Sequence, residues 1–311
     1  MIRKLIVYTL LSVEIITCAG CGGSFKEKQN TNNSPSFDYE NAVVSYLGPE
    51  GTYTQEACMN YFKHEGKYIP YVTVTEAVDA LVNGDCNYSV IPQENSIGGA
   101  VIEYLDVVIN EPSVNVVGEI ELPINQNLLV VSGTSLENIN KVYSHKQGIA
   151  QGKAWLEENL PNAEIVEVSS TAEGARIVSE NDSNTDAAIA SAACADVYKL
   201  DILVDGIQQN DLNKTRFYVL TTREPIKSHH DRLAFIATGK SKNLPSLMQD
   251  IKEQGMTLVA IHDRPQKTSL GEYNYLIECS DGEFTKYEKI SEKNDFEFRY
   301  LGSFDVCDSN K

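Results

Sequence analysis

Short apolar segments alternate with amphipathic segments from Ala42 to Thr222, and this alternation most constrains the fold of the chain. Segments such as AVVSYL (42–47) and YSVIP (88–92) have the length and apolar character of buried strands. The segments between them place apolar residues three or four positions apart, as an amphipathic helix does. Regular alternation of strand and helix predicts an α/β fold with mostly parallel sheets and helices on both faces.

The chain has 311 residues, which is enough for two or three compact units. An extended stretch near Glu119–Gln126 predicts that the chain crosses there into a second lobe and returns near 205–222. We therefore expect a domain over 42–225, with one lobe about 42–118 and 205–225 and the other about 119–204. This two-lobed arrangement, with a ligand cleft between the lobes, is that of periplasmic binding proteins.

The pattern changes after Pro225. Residues 230–308 predict the order βαββαβ, which is the ferredoxin-like order. A segment of this length is within the usual size range of a separate small domain.

The N-terminal sequence MIRKLIVYTLLSVEIITCAGC has a basic start, an apolar stretch and small residues before Cys21. This pattern is typical of a bacterial lipoprotein leader, here residues 1–23, with lipidation at Cys21. Residues 24–41 are polar and rich in Asn and Ser, which indicates a linker. The prediction is a membrane-anchored or extracytoplasmic protein; the alternative is a frayed N-terminal extension on a cytoplasmic protein.

The formal net charge of −18 and the lack of a basic patch argue against nucleic acid as a partner. An anionic ligand would need local positive groups or helix N-termini. The cysteines after Cys21 are scattered and show no metal-binding spacing, so we predict no metal site.

Four polar loops stand at predicted strand ends: GPEGTYT (48–54), PQENS (92–96), SHKQGIAQ (144–151) and NKTRF (213–217). Ligands in open α/β folds bind at the carboxyl ends of strands. Each loop also has an ordinary explanation: a turn, a helix cap, a structural histidine or a surface ion pair. Taken one at a time, the motifs do not settle which.

Taken together and in this order, the four loops resemble the prephenate dehydratase family. That family has a GP-x-GT-[FY]-[ST] loop, then P-x-ENS-x-x-G-x-V, S-H-P-Q-x-x-x-Q and T-R-F. The resemblance covers about residues 43–222, and the C-terminal segment resembles the ACT domain that follows in the same family. Lys146 replaces the proline of the family pattern, Gly152 stands where cysteine is frequent, and Gly98 replaces an acidic residue.

The resemblance implies that the chain converts prephenate to phenylpyruvate, water and carbon dioxide without a cofactor. It implies a catalytic set and a substrate-binding set: Thr215, Glu94, Asn95 and His145; and Thr52, Ser96, Gln147, Gln151, Ser191, Arg216 and Phe217.

Each main residue has an expected role. Thr215 donates a hydrogen bond to the leaving hydroxyl, and Asn95 is a neutral donor to substrate oxygens. His145 serves a proton relay or supports the structure. Arg216 clamps a carboxylate, and Glu94 organises the site by holding Arg216 or another donor.

The family's effector site corresponds to Leu244, Arg264 and Pro265. Its Gly-Ala-Leu turn is replaced by the stretch 242–245 (KNLP), and Asp263 stands where a hydroxyl is expected. A phenylalanine effector is therefore expected to bind weakly here. Homodimers paired through ACT domains are also implied by the resemblance.

Two alternatives remain at this point. A two-lobed fold behind a lipid anchor also describes an exported solute-binding lipoprotein, or an inactive homologue, that binds an aromatic acid. Arogenate differs from prephenate by an amine in place of the keto group, so an arogenate dehydratase fits the same motifs.

Overall fold

The computed structural model describes residues 39–210 and 212–308. The predicted leader, its lipidation residue Cys21 and most of the predicted linker lie outside these residues. None of the helices in the described part of the chain is long and apolar enough to cross a membrane.

The first lobe is built on a seven-stranded sheet. Its strands are β1 (Val43–Leu47), β2 (Lys67–Tyr71), β3 (Tyr88–Asn95), β4 (Gly99–Ala100), β5 (Asn115–Pro123), β11 (Lys214–Thr221) and β16 (Val306–Asp308). The order across the sheet is β16-β5-β11-β3-β1-β2, and β4 pairs with β3. Helix α1 (Tyr53–Tyr61) packs on one face, while α2 (Val74–Val82) and α3 (Ile102–Asn110) pack on the other.

The second lobe is built on five strands in the order β10-β6-β9-β7-β8. These are β6 (Asn127–Val130), β7 (Lys141–Ser144), β8 (Glu164–Glu167), β9 (Asp186–Ala190) and β10 (Asp201–Val204). Helix α4 (Lys146–Asn159) covers one face, and α5 (Thr171–Asn181) and α6 (Ala192–Tyr198) cover the other. Every residue of β9 is buried, as expected for a central strand covered on both faces.

The sheets are mixed, so the prediction of mostly parallel sheets is wrong. Strand β11 runs antiparallel to both β3 and β5, and β6 runs antiparallel to both β9 and β10. Strands β5, β6, β10 and β11 adjoin the two crossings between the lobes, where no helix intervenes to return the chain in a parallel direction. Strand β5 stays paired with β11 through Pro123, so the first crossing falls late in the predicted stretch Glu119–Gln126, a few residues after the expected lobe boundary at 118.

Residues 232–304 have the element order βαββαβ: β12 (Arg232–Lys240), α7 (Leu244–Glu253), β13 (Thr257–Pro265), β14 (Glu272–Ser280), α8 (Phe284–Lys293) and β15 (Glu297–Phe304). The strands form an antiparallel sheet in the order β13-β14-β12-β15. One face carries α7 and α8. The other packs on the α2–α3 face of the first lobe, and β16 then joins the first sheet beside β5.

Candidate functional site

A cleft of about 660 Å³ separates the two lobes, and its walls carry no charged side chain. The lining comes from β3 and the turn after it, the end of β11, and the N-terminal ends of α1, α4 and α5. It contains amides, hydroxyls, apolar side chains and one histidine, but no Asp, Glu, Lys or Arg. In a chain with net charge −18, this absence makes the cleft compatible with an anionic ligand.

Asn95 and Thr215 form a pair on the cleft face of the first sheet. They lie opposite each other in the β3–β11 register, and Asn95 Nδ2 donates to Thr215 Oγ1 at 2.9 Å. The same amide group donates to Asn213 Oδ1 at 2.8 Å, while Asn95 Oδ1 accepts from the backbone N–H groups of Ile97 and Gly98. These contacts fix which way the Asn95 amide points.

The Thr215 hydroxyl is consequently a directed donor. Its oxygen already accepts from Asn95, and no residue in the described chain accepts its hydrogen. Thr215 is 8% exposed and lines the cleft together with Phe217. The hydroxyl is therefore able to donate its hydrogen to a ligand in the cleft.

Helix α4 brings three of the predicted residues into the cleft. His145 caps the helix, and its Nδ1 accepts from the backbone N–H of Gln147 at 3.4 Å. When the ring is neutral, its hydrogen is then on Nε2. Gln151 lies one turn further on, and its Oε1 accepts from Gln126 Nε2 at 2.8 Å.

The N-terminal ends of three helices border the cleft. Tyr53 and Thr54 lie in the first turn of α1, Gln147 in that of α4, and Ser170 and Thr171 at the start of α5. Helix N-termini carry partial positive charge and N–H groups without helical partners, so they attract anions. These three ends supply the local positive potential that the sequence required of an anion site.

Ser191 and Thr52 are not in the cleft lining, although both are in the predicted substrate-binding set. Ser191 Oγ donates to the carbonyl of Gly51 at 2.7 Å and so joins the second lobe to the first. Thr52 Oγ1 donates to carbonyls of its own loop. Gly51 has φ of +83°, and a Cβ there would lie 2.8 Å from Cys194 Sγ, so this contact between the lobes requires glycine.

Ser96 also lies outside the lining. Its hydroxyl donates to the carbonyl of Leu212 at 3.0 Å and accepts from the backbone N–H of Lys214 at 3.0 Å. Ser96 therefore holds the turn after β3 against the segment that leads into β11, which is an indirect role in shaping the site.

Arg216 does not point into the cleft, and its predicted role as a substrate clamp needs correction. Side chains alternate between the two faces of a strand, so Thr215 and Phe217 face the cleft and Arg216 faces away. Arg216 donates to Glu119 at 3.2 and 3.0 Å and to Glu278 at 2.6 Å. Glu94, opposite Arg216 in the register, contacts it at 3.5 Å.

Glu119 and Glu278 were missed at the sequence level. Both are 0% exposed. Burial, and then the charge of Glu278, raise the pKa of Glu119 to about 8, against the opposing effect of Arg216. The available signal for Glu119 was a charged residue inside the segment VNVVGEI (114–120), whose other residues are uncharged and mostly apolar.

The cleft thus unites six of the predicted site residues and leaves five outside it. The residues in the lining are Asn95, His145, Gln147, Gln151, Thr215 and Phe217. The first five are polar, and Phe217 supplies an apolar wall. Glu94, Thr52, Ser96, Ser191 and Arg216 support the site from outside.

Sequence reasoning did not assign Asn213, Gln126, Ser170 or Thr171 to the cleft, although Asn213 belongs to a loop that it singled out. The cap positions of α5 become part of the site only when the lobes face each other.

No metal ligand set is present in the part of the chain that the structure describes. Within residues 39–210 and 212–308, no three His, Cys, Asp or Glu side chains converge as ligands of a metal ion would. The polar groups that line the cleft are instead hydroxyls, amides and one imidazole, which act by donating and accepting hydrogen bonds.

Fold and cleft together define a two-lobed α/β protein with a ligand site between its lobes. The sequence model of the family described as prephenate dehydratase matches residues 44–225. The chain belongs to the prephenate dehydratase family.

Individual relatives agree with this assignment. The chain is 36% identical over 269 residues to a bifunctional chorismate mutase/prephenate dehydratase of Neisseria gonorrhoeae, covering 84% of this chain and 74% of the relative. It is 31% identical over 249 residues to the prephenate dehydratase of Bacillus subtilis, covering 76% of this chain and 87% of the relative. The crystal structure of prephenate dehydratase from Arthrobacter aurescens in complex with L-Phe is similar, with a TM-score of 0.73 and 26% identity. That match covers 85% of this chain and 90% of the other.

Proposed function

We propose that this chain is a prephenate dehydratase, a hydro-lyase that converts prephenate to phenylpyruvate, carbon dioxide and water. The observation that carries the proposal is the Thr215 hydroxyl, which Asn95 orients as a donor into a cleft without charged side chains. The membership of the chain in the family supports it.

The cleft suits a dicarboxylate. The N-terminal ends of α1, α4 and α5 offer N–H groups and positive potential to the carboxylates. Gln147 and Gln151 add neutral donors, and Phe217 offers an apolar wall to the ring. Because the lining has no Asp or Glu, no carboxylate of the protein repels the substrate at short range.

The reaction breaks two bonds of the substrate. The C–C bond to the ring carboxylate breaks, carbon dioxide leaves, and the electron pair completes the aromatic ring as the C–O bond to the hydroxyl breaks. Thr215 donates a hydrogen bond to the departing oxygen, which stabilises the negative charge that develops there. Hydroxide then takes a proton to become water, and His145 is the cleft residue suited to supply or relay it.

The experiment that tests this function is a turnover assay of the purified full-length chain with prephenate at neutral pH. Phenylpyruvate is followed by its absorbance in base, and arogenate is assayed in parallel. Formation of phenylpyruvate supports the proposal. Turnover of arogenate alone would make the chain an arogenate dehydratase, and binding of prephenate without turnover of either acid would make it a binding protein.

Thr215→Val links the activity to the site, because valine keeps the shape of threonine and removes the hydroxyl. We expect kcat to fall by about 10²- to 10³-fold, the usual effect of removing one well-placed donor to a developing oxyanion. Circular dichroism and thermal unfolding check that the variant is folded. A folded Thr215→Val protein with the parent's kcat would remove Thr215 from the mechanism.

The βαββαβ unit is proposed to be an ACT-like regulatory domain that pairs in a homodimer and binds phenylalanine weakly. The relative from Arthrobacter aurescens was crystallised with L-Phe, which supports an effector of this kind. Leu244 begins α7 and Pro265 ends β13, whereas Arg264 is already engaged with Asp106 of α3 at 2.7 and 2.9 Å. Calorimetric titration with phenylalanine and sedimentation of the full-length chain test the effector and the dimer.

The proposed leader would place this activity outside the cytoplasm, on a lipid anchor at Cys21. The sequence before Cys21 supports this proposal. Mass spectrometry of the protein from a membrane fraction tests it. A diacylated N-terminal Cys21 is the expected result, and an unprocessed N-terminus would contradict it.

A further inference from the structure

On the face of β11 that points away from the cleft, the side chains of two fully buried glutamates contact Arg216. Its Nε and Nη2 donate to the two oxygens of Glu119 at 3.2 and 3.0 Å, and Nη2 also donates to Glu278 Oε2 at 2.6 Å. Glu119 lies on β5 of the first lobe, whereas Glu278 lies on β14 of the C-terminal unit. We call Arg216, Glu119 and Glu278 the Arg216 brace.

Further charged side chains contact the residues of this cluster. Glu94 contacts Arg216 at 3.5 Å, and Arg232 lies 3.3 Å from Glu278. Burial raises the pKa of Glu119 to about 8, against the opposing effect of Arg216. The Nε, Nη1 and Nη2 atoms of Arg216 all donate to carboxyl groups on this side of the sheet, so the guanidinium is engaged away from the cleft.

Glu278 is itself held on several sides. Tyr218 donates its hydroxyl hydrogen to Glu278 Oε2 at 2.6 Å, and Gln93 Nε2 donates to the same oxygen at 3.1 Å. Gln93 comes from β3 and Tyr218 from β11, so Glu278 contacts both strands that carry the Asn95–Thr215 pair. A shift of Glu278 would therefore be transmitted to both partners of that pair.

We propose that the brace residues are positioning residues for the reaction, which hold the backbone of β11 so that Thr215 meets the leaving oxygen. This inference rests on the proposed function. Arg216 follows Thr215 directly in β11, so a fixed Arg216 side chain restricts the backbone that carries the Thr215 hydroxyl. A displacement near 1 Å at a catalytic group is enough to lower turnover about 100-fold.

Arg216→Lys separates positioning from substrate clamping, because lysine keeps the charge and loses the planar fork that spans Glu119. We expect kcat with prephenate to fall at least about tenfold while KM stays within about threefold of the parent. A clamp would show the opposite split. An unchanged kcat with KM raised at least about tenfold would overturn the proposal.

Glu278→Gln tests the contribution of the C-terminal unit, with Glu121→Gln as its matched control. Glu121 lies on β5 two residues after Glu119, opposite Arg216 in the register, but its half-buried side chain pairs with Lys214 at 3.6 Å. We expect Glu278→Gln to lower kcat at least about fivefold and Glu121→Gln to stay within about twofold, since the Glu121–Lys214 pair is long and reached by solvent, and such pairs contribute little. Equal kcat in both variants and the parent would overturn the role of Glu278.

A double-mutant cycle gives a readout that loss of stability alone would not produce. If the brace acts through Thr215, Glu278→Gln in the Thr215→Val background should cause no further loss of kcat. Multiplicative losses would overturn the proposal. If Arg216→Lys does not fold, the double-mutant cycle of Glu278→Gln with Thr215→Val tests the proposal instead. A parent without any turnover would refute the proposed function. If the parent is active and both Arg216→Lys and Glu278→Gln have the same kcat as the parent, only the proposed role of the brace is refuted.

Discussion

The two faces of β11 differ in whether charged side chains lie against them. On the cleft face, Thr215 and Phe217 stand among hydroxyls, amides and helix N-termini, with no charged side chain in the lining. On the back face, Arg216 is packed against buried Glu119 and Glu278. Adjacent residues of one strand therefore belong to two different environments.

The groups that hold β11 in place are therefore different from the groups that can bind an anion. Fixed dipoles at helix ends can favour a dicarboxylate without a side-chain counterion. Full charges on the back face are screened little by water, so they hold the strand firmly as long as each has a partner. The arrangement keeps the strongest electrostatic interactions away from the reacting groups.

The largest expected effect comes from removing the charge on the back face. Arg216→Met should lower the free energy of unfolding by about 3–5 kcal/mol, because it removes the guanidinium that contacts the buried side chains of Glu119 and Glu278. Arg176→Met is the control. Arg176 is a surface residue of α5 with two carboxylate partners, and its loss should change stability by less than about 1 kcal/mol. Urea denaturation measures both, and equal losses would erase the distinction between a buried and an exposed cluster.

Adding a charge to the cleft face should affect binding rather than stability. Gln151→Glu places a carboxylate in the lining, and we expect KM for prephenate to rise at least about tenfold because like charges repel strongly in a cleft. Gln249→Glu makes the same change on the exposed side of α7 and should leave KM unchanged. An unaltered KM in Gln151→Glu would show that the substrate carboxylates bind elsewhere.

A third expected effect is a pH dependence of stability from Glu119. Its pKa of about 8 in the folded chain lies above the 4.5 of an ordinary glutamate, so folding takes up a proton between these values. The stabilising contribution is complete below about pH 4.5 and is lost as the pH rises to about 8. The parent should therefore lose more stability than Glu119→Gln between about pH 5.5 and about pH 8.5, measured by urea midpoints.

Other groups set the background of that measurement. Glu56, whose pKa burial raises to about 7, remains in the variant and contributes with the same sign. The charged and titratable groups facing Glu119 and Arg216 are Glu94, Tyr104, Tyr218, Arg232, His262 and Glu278. If the urea midpoints of the parent and of Glu119→Gln change with pH in parallel, the pKa of Glu119 is not raised by folding.

Much of the site was predictable because its residues lie in short segments at strand ends. The alternation of strand and helix places the four loops at the edges of the sheets, and six of the assigned residues do line the cleft. The direction of Arg216 also follows from the two-residue period of a strand, once Thr215 is placed in the cleft. Ser191 and Thr52 were harder to assign, because a hydroxyl at a loop can bind a ligand or a backbone carbonyl equally well.

The amino-acid sequence by itself determined the α/β character of the chain, the order of its elements and the loops that carry Asn95, His145 and Thr215. These properties depend on residues that are close together in the chain. Only the tertiary structure decided the mixed direction of the strands, the meeting of three helix N-termini and the burial of Glu119 with Glu278. Those features join residues that are far apart in the sequence, and local preferences do not specify which distant partners meet.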